Sequence, residues 1–178
     1  RNAIDALTSG SATVVEKIVV KEGMRLNAII KLISDKTGLD KSELTRLADD
    51  ESLWHLPSGA PSLEGYLFPA TYSFSPDITA KQALMSMRVR MDEEIAKFQI
   101  PEKDIHRVLT IAGLVQKEAR IEADFYKVSS VFQNRLAKGM KLQSDATVSY
   151  GVNGTTVSTS AADRANDNPY NTYLHVGL

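Results

Sequence analysis

Ile105 to Arg120 reads IHRVLTIAGLVQKEAR, Ala123 to Gly139 reads ADFYKVSSVFQNRLAKG, and Leu142 to Gly151 reads LQSDATVSYG. In the first segment Ile105, Val108, Leu109, Ala112 and Val115 recur at 3.6-residue spacing, and Ile111 and Leu114 widen that stripe. The pattern predicts a helix from near Asp104, apolar around more than half its circumference and largely buried. Glu118 lies three residues after Val115 and four after Leu114, on the same side and in the last turn. A water-poor surface and the negative end of the helix dipole both favour the neutral form of such a carboxylate. Those conditions suit a general acid working near neutral pH. Spacing alone leaves a plainer alternative standing, a solvated helix end on which Glu118 pairs with Lys117 or Arg120.

Working outward, the second segment predicts a partner helix with Asp124 as N-cap, an apolar face of Phe125, Val128, Phe132 and Leu136, and Gly139 as its stop. Asn134 and Arg135, near its C-terminal end, suit capping of the scaffold. LQSDATVSYG alternates polar and apolar residues and predicts an extended segment presenting Gln143, Asp145 and Thr147 on one face. Gln143 and Asp145 can donate to and accept from sugar hydroxyls and amides, although a solvated hairpin edge would look the same. Residues 152–168 are rich in Gly, Thr, Ser, Asp and Asn and predict a mobile loop or flap before PYNTY at Pro169 to Tyr173.

Towards the N-terminus, Thr13 to Val20 is rich in β-branched residues and predicts a strand, followed by a turn at Lys21 to Gly23. Leu26, Ile29, Ile30 and Ile33 mark a helix over Met24 to Thr37, closed by Gly38. Asp40 and Glu43 form a capping-box pattern ahead of a short helix over Lys41 to Asp50, with Leu39 and Leu44 placed as a hydrophobic staple. PSGAP at Pro57 to Pro61 is the candidate internal boundary. Beyond it, LEGYLFPATYSF (63–74) predicts an extended segment with a bulge or exposed position at Pro69. Glu64 stands before Tyr66, Phe68 and Tyr72, and carboxylates beside aromatic faces suit sugars. The packing alternative makes those aromatics core and Glu64 the cap of a turn. Thr79 caps a scaffold helix to about Phe98 with Leu84, Met87, Met91, Ile95 and Phe98 on its buried side.

Composition narrows the classes. With 178 residues, 43% hydrophobic and 24% charged, the chain suits one sizeable core, or one domain and a lobe. A net charge of −1 gives no bulk electrostatic reason to bind nucleic acid. The sequence has no Cys, so disulfides and thiolate-bound metals are excluded. No stretch approaches the ~18 apolar residues of a membrane span, and no signal peptide is visible. His55, His106 and His175 lack metal-ligand spacing, and GxSxG, Walker and GxGxxG motifs are absent, so neither a metal nor a cofactor is expected.

Four blocks carry a resemblance: LEGYLFPATYSF; KEAR at Lys117 to Arg120; KVSSVFQNRLAKGMKLQSDATVSYG at Lys127 to Gly151; and PYNTYLHVGL at the end. In order and spacing, from about Val14 onward, the chain resembles the YceG-like family, the endolytic murein transglycosylases. The resemblance implies that Glu118 is the catalytic acid/base, as the second carboxylate of a Glu-Lys-Glu run whose first member is Gln116 here. It implies a cleft residue in Glu64 and substrate contacts from Gln143, Asp145, Tyr170, Asn171, Thr172 and Tyr173, with Asn171 holding an acetamido group and a tyrosine stacking on the sugar. The implied reaction cleaves the β-1,4 bond between N-acetylmuramic acid and N-acetylglucosamine within glycan strands, leaving 1,6-anhydro ends.

Two other readings stay open: a lysozyme-type muramidase using Glu118 with Asp145, retaining or inverting according to the gap between them, and a non-catalytic peptidoglycan-binding module. The expected fold is α+β and helix-rich, with a small α/β lobe over 1–60, a remnant of a LysM-like lobe. A lysozyme-like helical catalytic domain with short strands follows over 61–178. Family members carry an N-terminal membrane anchor and further chain beyond the final Gly-Leu, so this chain is expected to be a piece of an anchored protein on the extracytoplasmic side of the bacterial membrane. Glycan strands are the expected partner, with peptidoglycan synthases of the penicillin-binding type as a second.

Overall fold

The β-branched run near the N-terminus becomes strand β1 (Glu16–Val19), and it pairs antiparallel with β2 (Thr71–Phe74) in the register Glu16 to Phe74 and Val19 to Thr71. The structure is a computed structural model that describes residues 15–119, 121–154 and 158–178, so Thr13 and Val14 of the strand reading lie outside the described residues. By packing, the chain divides into two units, one ending at Ile100 and one starting at Pro101. This division differs from the boundary read at residue 60, because β2, well beyond PSGAP, completes its backbone hydrogen bonding on β1.

In the first unit, helix α1 (Leu26–Thr37) turns Ile29, Ile30 and Ile33 into the core and ends at Gly38, whose φ of 75° is the left-handed conformation that favours glycine. Helix α2 (Lys41–Ala48) is capped by Asp40, which accepts from the amides of Ser42 and Glu43. A 3₁₀ turn (Glu51–Leu53) then delivers Trp54 to the interior, where its Nε1 donates to Leu47 O at 2.9 Å. Helix α3 (Ala80–Lys97) carries the full capping box of Thr79 and Gln82 and buries Ala83, Leu84, Met87 and Met91 as core. Phe98, read as part of that stripe, sits at the C-cap and is 73% exposed. In 63–74 only Thr71 to Phe74 is strand; Leu63, Tyr66 and Leu67 are buried through a turn at Gly65, φ 82°. Such a turn interrupts the alternation that suggested a longer extended segment.

In the second unit, α4 (Glu102–Glu118) packs on α5 (Glu122–Ala137) around Ile111, Val115, Phe132 and Leu142, with Leu114, Phe125, Val128 and Leu136 beside them. The buried line on α4 is narrower than its apolar stripe: Val108 and Ala112 are exposed, because α5 covers one side of the helix only. Helix α5 begins at Glu122 with Ile121 as its N-cap, so Asp124 falls in the first turn, where a carboxylate favours the positive helix end without capping it. Two short helices follow, α6 (Asp145–Gly151) and α7 (Ala161–Ala165). The fold is helix-rich α+β with a two-stranded sheet. No helix of the described residues is long and apolar enough to cross a membrane.

Candidate active site

Helix α4 ends on Glu118, and the half-buried carboxylate is met by the start of α6: Ser144 Oγ donates to Glu118 Oε1 at 2.6 Å. Residues 145–151 are helical, which corrects the extended reading of LQSDATVSYG. The β-branched Thr147 and Val148 argue for a strand by propensity, but tertiary packing overrides it: Thr147, Val148 and Ser149 are all buried in the short helix. Gln143, Asp145 and Thr147 therefore share no face. Gln143 is exposed in the left-handed region, φ 54°, with its amide donating to Thr172 O at 3.1 Å, whereas Thr147 is buried.

Three hydroxyl residues knit this start of α6 to the last block of the chain. Ser144 N donates to Thr172 Oγ1 at 3.1 Å, and the Thr147 and Thr172 hydroxyls lie 2.8 Å apart. Thr147 Oγ1 also donates to Ser144 O at 2.7 Å. Thr172 is thus a buried tie between segments. Asn171 is completely buried, and its side chain is engaged within the chain: Nδ2 donates to Arg164 O at 3.0 Å and Asn166 O at 2.7 Å, while Oδ1 accepts from Tyr173 N at 3.0 Å. Those contacts organise a loop and leave the acetamido role implied for Asn171 without an open group.

A second cluster surrounds Asp145, the first residue of α6. Its Oδ1 accepts from Tyr173 Oη at 2.9 Å and from Thr159 Oγ1 at 2.7 Å, and Arg164 Nη1 stands 4.0 Å away. Arg164 lies 5.9 Å over the Tyr173 ring and donates to Thr159 O at 2.7 Å. Burial, the hydrogen bond to Asp145, and the charges of Asp145 and Glu118 push the Tyr173 phenol up, against the opposing pull of Arg164. The phenol therefore keeps its proton and serves as a donor. Tyr170 is 49% exposed and meets Tyr150 edge to face, with centroids 4.8 Å apart, so one ring face is open for stacking.

The stretch read as a mobile loop contains α7, closed by a reciprocal capping box of Ser160 and Asp163. Thr159 and Arg164, which attach this stretch to Asp145, were not singled out from the sequence, nor was Ser144. The Ser-x-x-Asp pattern at 160–163 is a signal that could have found α7. Asn134 and Arg135 act as scaffold, Asn134 O accepting from Lys138 N and Arg135 donating to Leu142 O.

Glu64 belongs to the first unit, and both its carboxylate oxygens accept from Leu26 N, at 3.0 and 3.2 Å. It serves there as the missing cap of α1, whose own N-cap residue, Arg25, makes no side-chain cap bond. Tyr66 is buried core, while Phe68 and Tyr72 are half-buried. The contacts of Glu64 and the burial of Tyr66 match the packing alternative. Arg120, one partner considered for Glu118, lies outside the described residues. No group of three or more His, Asp or Glu residues suited to a metal occurs among the described residues.

Residues 1–178 match the model of the YceG-like family. An endolytic murein transglycosylase of Bacillus subtilis is 35% identical over 195 residues, covering 98% of this chain and 54% of that protein. One from Streptococcus pneumoniae is 34% identical over 168 residues, covering 89% of this chain and 30% of its own length. The crystal structure of a YceG-like protein from Listeria monocytogenes superposes with a TM-score of 0.80 at 31% identity, over 99% of this chain and 65% of that one. The chain thus spans about half the length of the Bacillus relative and less than a third of the Streptococcus one.

Proposed function

The chain belongs to the YceG-like family, and from that premise we propose that it forms part of an endolytic lytic transglycosylase, with Glu118 as single general acid and base. The carrying observation is that Glu118, at the end of α4, is the carboxylate engaged by Ser144 at the centre of the α4, α6 and 171–173 cluster. In this reading the protonated Glu118 gives its proton to the glycosidic oxygen between N-acetylmuramic acid and N-acetylglucosamine, and the bond from C1 to that oxygen breaks. The C6 hydroxyl oxygen of the muramoyl residue then closes on C1, and the Glu118 carboxylate takes the hydroxyl proton. One proton leaves and one returns, so no water is consumed and a 1,6-anhydro end results. Acid and base assistance of this kind contributes about 10²–10⁴-fold to rate.

The remaining residues take supporting parts. Tyr170 offers a stacking face, Gln143 an exposed side-chain amide next in sequence to Ser144, and Tyr173 a phenol facing Asp145. Asp145 is occupied at Oδ1 by two hydroxyl donors, which suits a positioning part better than that of a free nucleophile. Asn171 and Thr172 hold this frame from beneath. The catalytic machinery would lie in the second unit, from Pro101 onward, lysozyme-like in its helical character, with a LysM-like lobe ahead of it. The whole protein would work on glycan strands at the extracytoplasmic face of the cytoplasmic membrane, held by a single-pass anchor and partnered by peptidoglycan synthases of the penicillin-binding type.

Mass spectrometry of peptidoglycan digested by the whole protein and by its Glu118→Gln variant tests the reading. Anhydromuramoyl ends with the parent protein, lost with the variant, are expected. Hydrolysed ends, one water heavier, would transfer the reaction to Glu118 with Asp145, and no product from either protein would leave a binding module.

A further inference from the structure

Ser144 occupies the N-cap position of α6, with φ −98° and ψ 125° in the extended region. A serine there ordinarily turns its hydroxyl back to accept from the N2 or N3 amide, and loss of that bond destabilises a helix measurably. In this chain the side chain makes no cap bond; its hydroxyl donates instead to Glu118 Oε1 at 2.6 Å. The α6 helix therefore forgoes local stabilisation while its best-placed capping group serves a carboxylate 26 residues away in sequence. Asp40, Thr79 and Ser160 all cap their own helices, so the departure at Ser144 contrasts with three local caps in the same chain.

The rest of Ser144 is immobilised. The residue is 2% exposed, its N–H donates to Thr172 Oγ1 at 3.1 Å, and its carbonyl accepts from Thr147 Oγ1 at 2.7 Å. Backbone anchors on both sides fix where the side chain starts, and from there the hydroxyl reaches Glu118 Oε1. A partly buried hydrogen bond from a fixed donor favours one orientation of the carboxylate.

We infer that Ser144 is a positioning residue for Glu118: its hydroxyl, aimed by Thr147 and Thr172, holds Oε1 and reserves Oε2 for the proton that is given and taken back. This inference rests on the acid/base reading of Glu118 proposed above. Because Oε1 accepts from Ser144 throughout, the same oxygen serves the glycosidic oxygen in the first half and the C6 hydroxyl in the second. Ser144 itself neither gains nor loses a proton.

The experiment has two readouts on the whole protein. Hydrogen bonds to charged groups correspond to roughly a 10- to 100-fold effect, so Ser144→Ala is expected to lower kcat by about that factor with KM on soluble glycan strands unchanged. A KM rise at constant kcat, or no change in either, would overturn the proposal. The second readout needs no activity: urea unfolding of the parent, Ser144→Ala, Glu118→Ala and the double variant forms a double-mutant cycle. Ser144→Ala is expected to lower the midpoint in the parent and to leave it unchanged once Glu118 is absent. Equal shifts in both backgrounds would show that Ser144 acts on α6 alone and would sink the proposal. If the chain does not cleave glycan at all, the cycle still reports the pairing, so failure of the reaction and failure of the pairing remain separate results.

Discussion

Glu64 and Glu118 are both carboxylates at helix ends, one in each unit, and they stand at opposite ends. Glu64 meets the N-terminus of α1, where the amide of Leu26 supplies a backbone donor to both its oxygens. An anion there gains from the positive end of the helix and from an otherwise unpaired N–H. Glu118 closes the C-terminus of α4, an end that presents carbonyls; its hydrogen bond comes from a side-chain hydroxyl on another element. A carboxylate held by its own scaffold's backbone is part of that scaffold. One held from a separate element at the acceptor-rich end of a helix is suited to exchanging a proton. The surroundings agree. The first unit buries Ile18, Ile33, Leu44, Leu63, Leu84 and Met87 almost completely, whereas the second buries Ser144, Thr147, Ser149, Asn171 and Thr172 around a smaller apolar cluster.

The contrast is most easily broken by activity. Glu118→Gln is expected to cut turnover by about 10²–10⁴-fold, and Glu64→Ala to leave both kcat and KM as they are, as read by release of soluble muropeptides. A KM rise for Glu64→Ala without loss of stability would put Glu64 in the cleft and erase the contrast. Stability should show the opposite order. Glu64→Ala removes the cap of α1 and is expected to cost about 1 kcal/mol, a fall in Tm of roughly 2–4 °C for a chain of this size. Glu118→Gln should leave Tm near the parent's in the same calorimetric scans.

The smallest effect concerns Tyr72 of the first unit. Burial pushes its phenol up to about 12, with Arg90 pulling the other way, and its hydroxyl donates to Phe68 O at 2.7 Å. The unfolded chain loses this proton near pH 10, so from there to about pH 12 the folded state binds more protons than the unfolded one. Stability is then fully present below pH 10 and declines as pH rises through that window. Tyr72→Phe should flatten the decline of Tm over this range, and an unchanged slope would assign it to other groups.

Much of the local structure was legible in the sequence. Asp40, Thr79 and Gly38 occupy the helix ends expected of them, and Met87 and Met91 are core. The misreadings lie where local signals conflict. Thr147 and Val148 look like strand residues but are buried in α6, and the polar run before Pro169 hides the short, self-capped α7. On α4 the apolar stripe overstated burial at Val108 and Ala112, since periodicity shows which side can be covered and not how much of it is. Glu118 was singled out by the family resemblance; three- and four-residue spacing places it above Val115 and Leu114 but fits a solvated helix end as well. Ser144 was not, because nothing near it in sequence marks its hydroxyl as leaving its own helix.

By itself the sequence determined the five longer helices, several of their ends and the α+β class. Each of these rests on interactions within about four residues, where helical geometry dictates the partner. Tertiary structure alone decided that Glu64 caps α1, that Ser144 serves Glu118, and that Thr159 and Tyr173 converge on Asp145. Those pairs are separated by 14 to 38 residues, and no periodicity reaches so far. Only the packing of elements against one another brings such hydroxyls and carboxylates within hydrogen-bonding distance, and with them a site.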